Sequence, residues 1–190
     1  MAADPKKGLK WGSRIGFLDE CGVSQRPSVR RTWAPKGVTP IIRSTGSWKT
    51  RSLIGTLTCT PRGHRPKFYL RLFKTTIHDV QFIRHLKELR RHIQEKLILL
   101  IDRLAAHRSK RTKAFLKTQR HWLRIAWFPP YAPELNPVEY PWSYGKRKDL
   151  ANFCPDTLDK LDQGIRRYGR RLRRKPKLLR GFLKASSLFR

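Results

Sequence analysis

Acidic residues are scarce in this chain. Its 190 residues include 13 Asp and Glu against 44 Lys and Arg, a formal net charge of +31 at pH 7. A surplus of that size opposes compaction and attracts polyanions, and nucleic acid supplies a dense line of phosphates. A membrane surface is the weaker alternative. Cysteine is nearly absent too. Cys21, Cys59 and Cys154 are odd in number and widely spaced, which excludes a zinc pattern or a disulfide framework and reads as reduced thiols. No apolar run approaches about 18 residues, so no membrane-spanning helix is expected. The N-terminal stretch "MAADPKKGLKWGSR" lacks the apolar segment of a secretory signal. These absences point to a cytoplasmic protein that meets DNA.

What is present suffices for a core: 38% hydrophobic residues and six Trp, in a length suited to one domain or one with an appendage. "RIGFLDECG" (14–22) reads as a strand ending at Gly22, and "VRRTWAPKG" (29–37) as a second that pairs back on it. Residues 38–50 read as a loop. "SLIGTLTCT" (52–60) and the alternating "KFYLRLF" (67–73) read as further strands. From Thr76 to Gln94 the apolar spacing turns helical, with Thr76 as N-cap and Asp79 three residues on. "KLILLID" (96–102) is a short apolar run of the kind found in a buried central strand. A helix over 108–119, with Ser109 near its start, and a strand over 123–128 follow. Further helices are expected from Asn136-Pro137 to Leu150, over 156–168, and over 171–188 with Pro176 near its start. A meander followed by alternating strands and helices makes an α/β fold with a mixed sheet, the ribonuclease-H-like arrangement.

With acids so few, each one beside apolar sequence asks for a reason. Asp19 follows "IGFL", Asp102 follows "LILLI", and Glu139 sits just inside a predicted helix. If the two strands are neighbours, their ends bring Asp19 and Asp102 together, and the helix adds Glu139. Three converging carboxylates repel one another and resist desolvation. A hard divalent cation removes that penalty, and two ions about 4 Å apart would clamp an in-line displacement at phosphorus. Each acid also has a plainer reading. Asp19 can pair with an arginine. Asp102 can cap the next helix. In "NPVE", Asn136 can be the N-cap, with Pro137 at the first helical position and Glu139 closing a capping box. Glu20 should point to the face opposite Asp19, and Asp79 and Glu134 are spare acids.

The segments "FLDECG", "RRTWAPKGVTP", "LLIDRLAAHRSKR" and "FPPYAPELNPVEYPWSYGKR", in that order, resemble the catalytic (DDE) domain of Tc/mariner-superfamily transposases, closest to bacterial insertion-sequence family 630. The resemblance covers roughly residues 14–150. It implies a ribonuclease-H-like fold and a metal-binding triad at Asp19, Asp102 and Glu139, holding Mg2+ or Mn2+, with two ions expected. It also implies cleavage at transposon ends and transfer of the freed 3′-hydroxyl into target DNA. Glu20 matches the acid usual after the first aspartate. Arg103 departs from the Asn or Gly common after the second, and can contact a phosphate. Relatives carry an N-terminal helix-turn-helix region ahead of such a domain. The expectation here is that a separate reading frame supplies it, or that this copy is a remnant. A bacterial, nucleoid-associated location and a possible homodimer follow from the same resemblance.

The expected organisation is a lead-in over 1–13, a catalytic domain over 14–150 and a basic helical extension over 151–190. Residues 165–190 hold eleven Lys and Arg and no acid. There Leu172, Leu178, Leu179, Phe182, Leu183 and Leu188 can face the body while Arg166, Arg167, Arg170, Arg171, Arg173 and Arg174 track phosphates. His107 can orient substrate or stand at a helix start without catalytic duty, and Trp33 or Trp48 can stack on a base or pack in a core or loop. Trp142 is expected to pack its helix onto the sheet. The rival to a nuclease is a basic DNA-binding protein without catalysis. A tyrosine recombinase fits poorly, because nothing singles out one of the five Tyr.

Overall fold

The computed structural model describes residues 11–44, 46–130, 132–186 and 188–189; most of the expected lead-in, residues 1–10, lies outside them. Five strands form one sheet: β1 (Ser13–Ser24), β2 (Thr50–Cys59), β3 (Lys67–Phe73), β4 (Lys96–Ile101) and β5 (Leu123–Trp127). Their order is β3-β2-β1-β4-β5. The first three form an antiparallel meander, and β4 and β5 run parallel to β1. This is the ribonuclease-H-like arrangement the sequence pattern predicts.

The aliphatic run of β4 follows from its place between β1 and β5. Leu97, Leu99 and Ile101 enter the core on one face, and Leu100 enters the core on the other. Helix α1 (Asp79–His92) covers the first face with Phe82, Leu86 and Leu89. Two helices follow β4 on the way to β5: α2 (Ala105–Arg108) and α3 (Lys110–Thr118), the latter capped by Ser109, whose Oγ accepts from Thr112 N at 3.0 Å. The second face is covered by α4 (Glu139–Tyr144), α5 (Leu158–Arg173) and α6 (Pro176–Ala185). Val138, Trp142, Leu161, Ile165, Tyr168, Leu172, Leu179, Phe182 and Leu183 pack there against Phe17, Leu57 and Phe68. Arg51 on β2 and Asp162 on α5 form a buried ion pair at 2.7 Å that fixes α5 on the sheet. All three cysteines are free thiols.

Four expectations are corrected. Residues 29–37 are not a strand. Both edges of β1 are already taken by β2 and β4, and the segment carries Pro35 and an almost fully exposed Trp33. It is a solvent-facing arm held at its base by Asn152, whose Oδ1 accepts from Arg30 N at 2.7 Å and whose Nδ2 donates to Arg30 O. Helix α1 is capped at His78, not Thr76: Gln81 Oε1 accepts from His78 N at 3.0 Å, and Asp79 instead accepts from Ser109 Oγ. The helix expected from Asn136 begins at Glu139 and passes into a π-type turn, Gly145–Asp149, closed by Leu150 N on Gly145 O. Helix α5 does not stop near Gly169 but runs to Arg173. A Cβ at Gly169 would lie 2.8 Å from Leu70, so the glycine serves close approach to β3 and the break comes at Pro176.

His85 of α1 is fully buried, with Nε2 2.8 Å from Thr56 Oγ1. Burial, with Arg71 nearby, pushes its pKa down to about 3. The unfolded chain therefore takes up this proton first, near pH 6.5, and the native state loses stability as pH falls from there towards 3. As pH falls from 7.5 to 5 the melting temperature of His85→Gln should gain on that of the wild type; parallel calorimetric curves for the two proteins would exclude a contribution from His85.

Candidate active site

Asp19 lies within β1, paired across the ladder with Gly55 of β2. The parallel β1–β4 register ends at Phe17 and Leu100, and Asp19 and Asp102 each lie two residues beyond that last pair. Strand alternation puts Asp19 on the face of Phe17 and Trp142, and Glu20 on the other. Glu139 is the first residue of α4 and is exposed. Its plainer reading as the closing residue of a capping box fails. Asn136 Oδ1 accepts from Val138 N, and Asn136 O accepts from Glu139 N, so the carboxylate is not needed to close the turn.

The predicted acids gather into two adjoining groups. Asp19 and Glu139 form the first. Burial first, and then the neighbouring charges of Glu139 and Glu20, push Asp19 up to about 7, against the hydrogen bond from Trp142 Nε1 to Oδ2, at 2.9 Å, and one from the backbone at Glu20. Asp102 forms the second group, with His107 and Glu20. His107 Nδ1 lies 2.8 Å from Asp102 Oδ1, and Nε2 lies 2.9 Å from Glu20 Oε1. Burial alone would raise Asp102, but hydrogen bonds from His107 and from Leu104 N outweigh it and hold the carboxyl below its ordinary value. Burial alone would lower His107, yet the two carboxylates push it up to about 9.

The donor set fits a hard divalent cation. Asp19 is a carboxyl raised by burial first and by like charges next, a setting in which a nearby cation would favour the ionised form. Glu20 Oε2 is buried with no hydrogen-bond partner among the described residues. Carboxylate oxygens on and just beyond the central strands suit Mg2+ or Mn2+ and not a soft metal.

Sequence reasoning missed two features. Trp142 packs its helix on the sheet as expected, but it also holds Asp19. It can do so because Gly55, the ladder partner of Asp19, carries no side chain: a Cβ there would meet the indole at 2.7 Å. No local signal in "LIGTL" announces that contact. His107, for which the sequence offered either a role in orienting substrate or none beyond a helix start, is enclosed, its side chain wholly buried and packed on Phe82 with ring centroids 4.3 Å apart. Its spacing of five from Asp102, with Glu20 on the inward face of β1, was the available clue.

The arginines at 166, 167, 170, 171, 173 and 174 are all exposed, and Arg171 pairs with Asp149 at 2.7 Å. Arg103 is exposed beside Asp102. Trp33 faces solvent, and Arg26 lies over the Trp48 ring at 4.4 Å. Asp79 is bonded to Ser109, and Glu134 is exposed in a short 3-10 turn, Pro133–Leu135. No helix among the described residues is long and apolar enough to cross a membrane.

A sequence family described as DDE superfamily endonuclease matches residues 14–162. No curated protein matches the chain. Among solved structures, the Mos1 transposase paired-end complex with left transposon end superposes with a TM-score of 0.60 at 17% identity, over 97% of this chain and 59% of that one. The Mos1 mariner paired-end complex with Mn gives 0.60 at 18% identity, over 90% and 55%. The catalytic domain of Mos1 mariner transposase gives 0.55 at 15% identity, over 96% and 87%. The chain thus spans somewhat over half the length of the Mos1 chains in the two complexes.

Proposed function

Because the chain belongs to the DDE superfamily of endonucleases, we propose that it is the catalytic part of a Tc/mariner-type DNA transposase, nearest to bacterial insertion-sequence family 630. The proposed reaction is displacement at phosphorus. Water attacks a phosphodiester at the transposon end and releases a 3′-hydroxyl; that hydroxyl attacks target DNA and displaces a 3′-oxygen there. Asp19, Asp102 and Glu139 are the residues proposed to hold Mg2+ or Mn2+, two ions in all. Bound there, the metal would supply charge neutralisation and polarise the phosphodiester oxygens.

The chain's own contribution is placement. Asp19 is fixed by the Trp142 indole, and Asp102 is anchored at the end of β4 by His107 and the Leu104 amide. Glu139 starts a helix packed on the same sheet. Fixed, partly dehydrated carboxylates need little rearrangement as the reaction proceeds, which is where positioning lowers a barrier. None of the three acts as a nucleophile, so no covalent enzyme intermediate arises. The exposed arginines of α5 and its C-terminal end, with Arg103 beside the site, are proposed to contact phosphates without reading sequence. In this reading residues 14–150 form the catalytic unit and 151–190 a basic extension packed onto it. The proposed partners are transposon ends, target DNA, a separately encoded helix-turn-helix part and a second copy of the chain, on the nucleoid in the bacterial cytoplasm.

The observation that carries the reading is Asp19: a carboxyl raised by burial and by Glu139, on a strand whose parallel ladder with β4 ends two residues before both Asp19 and Asp102. The test is divalent-metal-dependent nicking of DNA by wild type and Asp102→Asn, with the proposed helix-turn-helix partner supplied. A loss of about 10²–10³-fold in the variant is expected. Equal nicking would reject the assignment. Tight, salt-sensitive binding with no nicking by either protein would favour the DNA-binding remnant that the +31 charge alone supports.

A further inference from the structure

We infer that His107 is a positioning residue for Asp102 and that Glu20 acts through it, so that β1 places both aspartates of the site: Asp19 directly and Asp102 by way of the Glu20–His107 pair. The inference rests on the assignment of Asp102 as a metal-holding carboxylate.

Asp102 is the first residue beyond β4, and no sheet ladder holds it. Among the described residues its carboxylate makes two contacts, and both use Oδ1: Leu104 N at 3.1 Å and His107 Nδ1 at 2.8 Å. Nδ1 also lies 3.1 Å from the Asp102 carbonyl, so one ring nitrogen grips both the backbone and the side chain of this residue. The other nitrogen meets Glu20 Oε1 at 2.9 Å. Carboxylate oxygens accept hydrogen bonds, so the ring nitrogens facing Asp102 Oδ1 and Glu20 Oε1 stand where an N–H donor meets a carboxylate. Such charge-assisted bonds are short and directional. The ring is walled in by Phe82 and has no exposed surface, so it cannot reach DNA itself.

The geometry gives Glu20 a task distinct from that of its neighbour. Successive residues of a strand face opposite ways. Asp19 faces Trp142, while Glu20 faces His107. Two adjacent residues of one central strand therefore define both halves of the site. As a direct ligand His107 would have to surrender one of these bonds, since both nitrogens are engaged. A histidine that orients a carboxylate from behind typically changes metal affinity or activity by about 10–100-fold when lost.

The experiment is Mn2+ binding to the full chain, followed by the electron paramagnetic resonance signal of free Mn2+. DNA binding in EDTA is measured in parallel. His107→Ala should weaken Mn2+ binding by about 10–100-fold and leave metal-free DNA binding unchanged. His107→Gln, which can still donate to Asp102, should recover part of the loss, and it carries the test should His107→Ala not fold. Glu20→Gln should weaken binding in the wild-type background and add nothing in the His107→Ala background. Unchanged Mn2+ affinity in a folded His107 variant would overturn the inference. So would an undiminished Glu20→Gln effect in the double variant, which would make Glu20 a ligand. Asp102→Asn separates the two levels: if it too binds Mn2+ normally, the metal assignment itself falls, whereas loss in Asp102→Asn alone refutes only the role of His107.

Discussion

Asp19→Asn should do two opposite things: remove divalent-metal-dependent nicking, by at least about 10²–10³-fold, and raise the melting temperature of the metal-free protein. The first effect follows from the proposed role of the carboxylate. The second follows from its surroundings. Burial and the charges of Glu139 and Glu20 lift its pKa from 3.8 to about 7. An acid whose pKa rises on folding is ionised in the unfolded chain while still protonated in the native one, so native stability falls as pH climbs from 3.8 to about 7 and stays low above that. At roughly 1.4 kcal/mol per pKa unit the penalty is at most about 4 kcal/mol at pH 8. Asparagine keeps an oxygen for the Trp142 N–H and has no charge to desolvate. In EDTA at pH 8 the variant should therefore melt several degrees higher, at roughly 2–4 °C per kcal/mol for a chain of this size. Added Mg2+ should stabilise the wild type and leave the variant unmoved. A variant that melts lower than wild type in EDTA would show that Asp19 is not strained by its neighbours.

The second large effect is expected at Trp142. The indole is 5% exposed, packs edge-on against Phe68 and fills the space over Gly55. Trp142→Ala removes that packing and should cost about 3–5 kcal/mol, seen as a fall of roughly 6–20 °C in melting temperature. It also strips Asp19 of its side-chain hydrogen-bond donor. Trp142→Phe separates the two contributions: it keeps most of the ring contact and loses the N–H. Its stability should lie much nearer wild type, while the metal concentration needed for half-maximal nicking rises. A melting temperature within about 2 °C of wild type for Trp142→Ala would mean that the ring is not a structural element of the site.

Much of this fold is legible in the sequence because its strands lie in unlike surroundings. The aliphatic run of β4 is buried on both faces, and the alternation in β3 reflects its place at the sheet edge. What misled was pattern without context. Residues 29–37 have strand-like composition, but both sides of β1, the strand they were expected to pair with, are taken by β2 and β4. The glycine at 169 looks like a helix break and is a point of close packing. Asp19 and Asp102 stand out as acids after apolar runs, and Glu139 through its motif. The connections among them were not legible, because His107, Glu20, Trp142 and Gly55 meet only through the cross-strand register and the docking of helices from distant parts of the chain.

Gly55 gives one consequence for variation in this chain. It has no chemistry of its own and lies away from every acid in sequence, yet a single methyl group there would displace the indole that tethers Asp19. The tolerance of the catalytic centre is thus set partly from the neighbouring strand, at a residue whose contribution is the room it leaves. Substitutions that silence such a protein need not touch any group that meets DNA or metal.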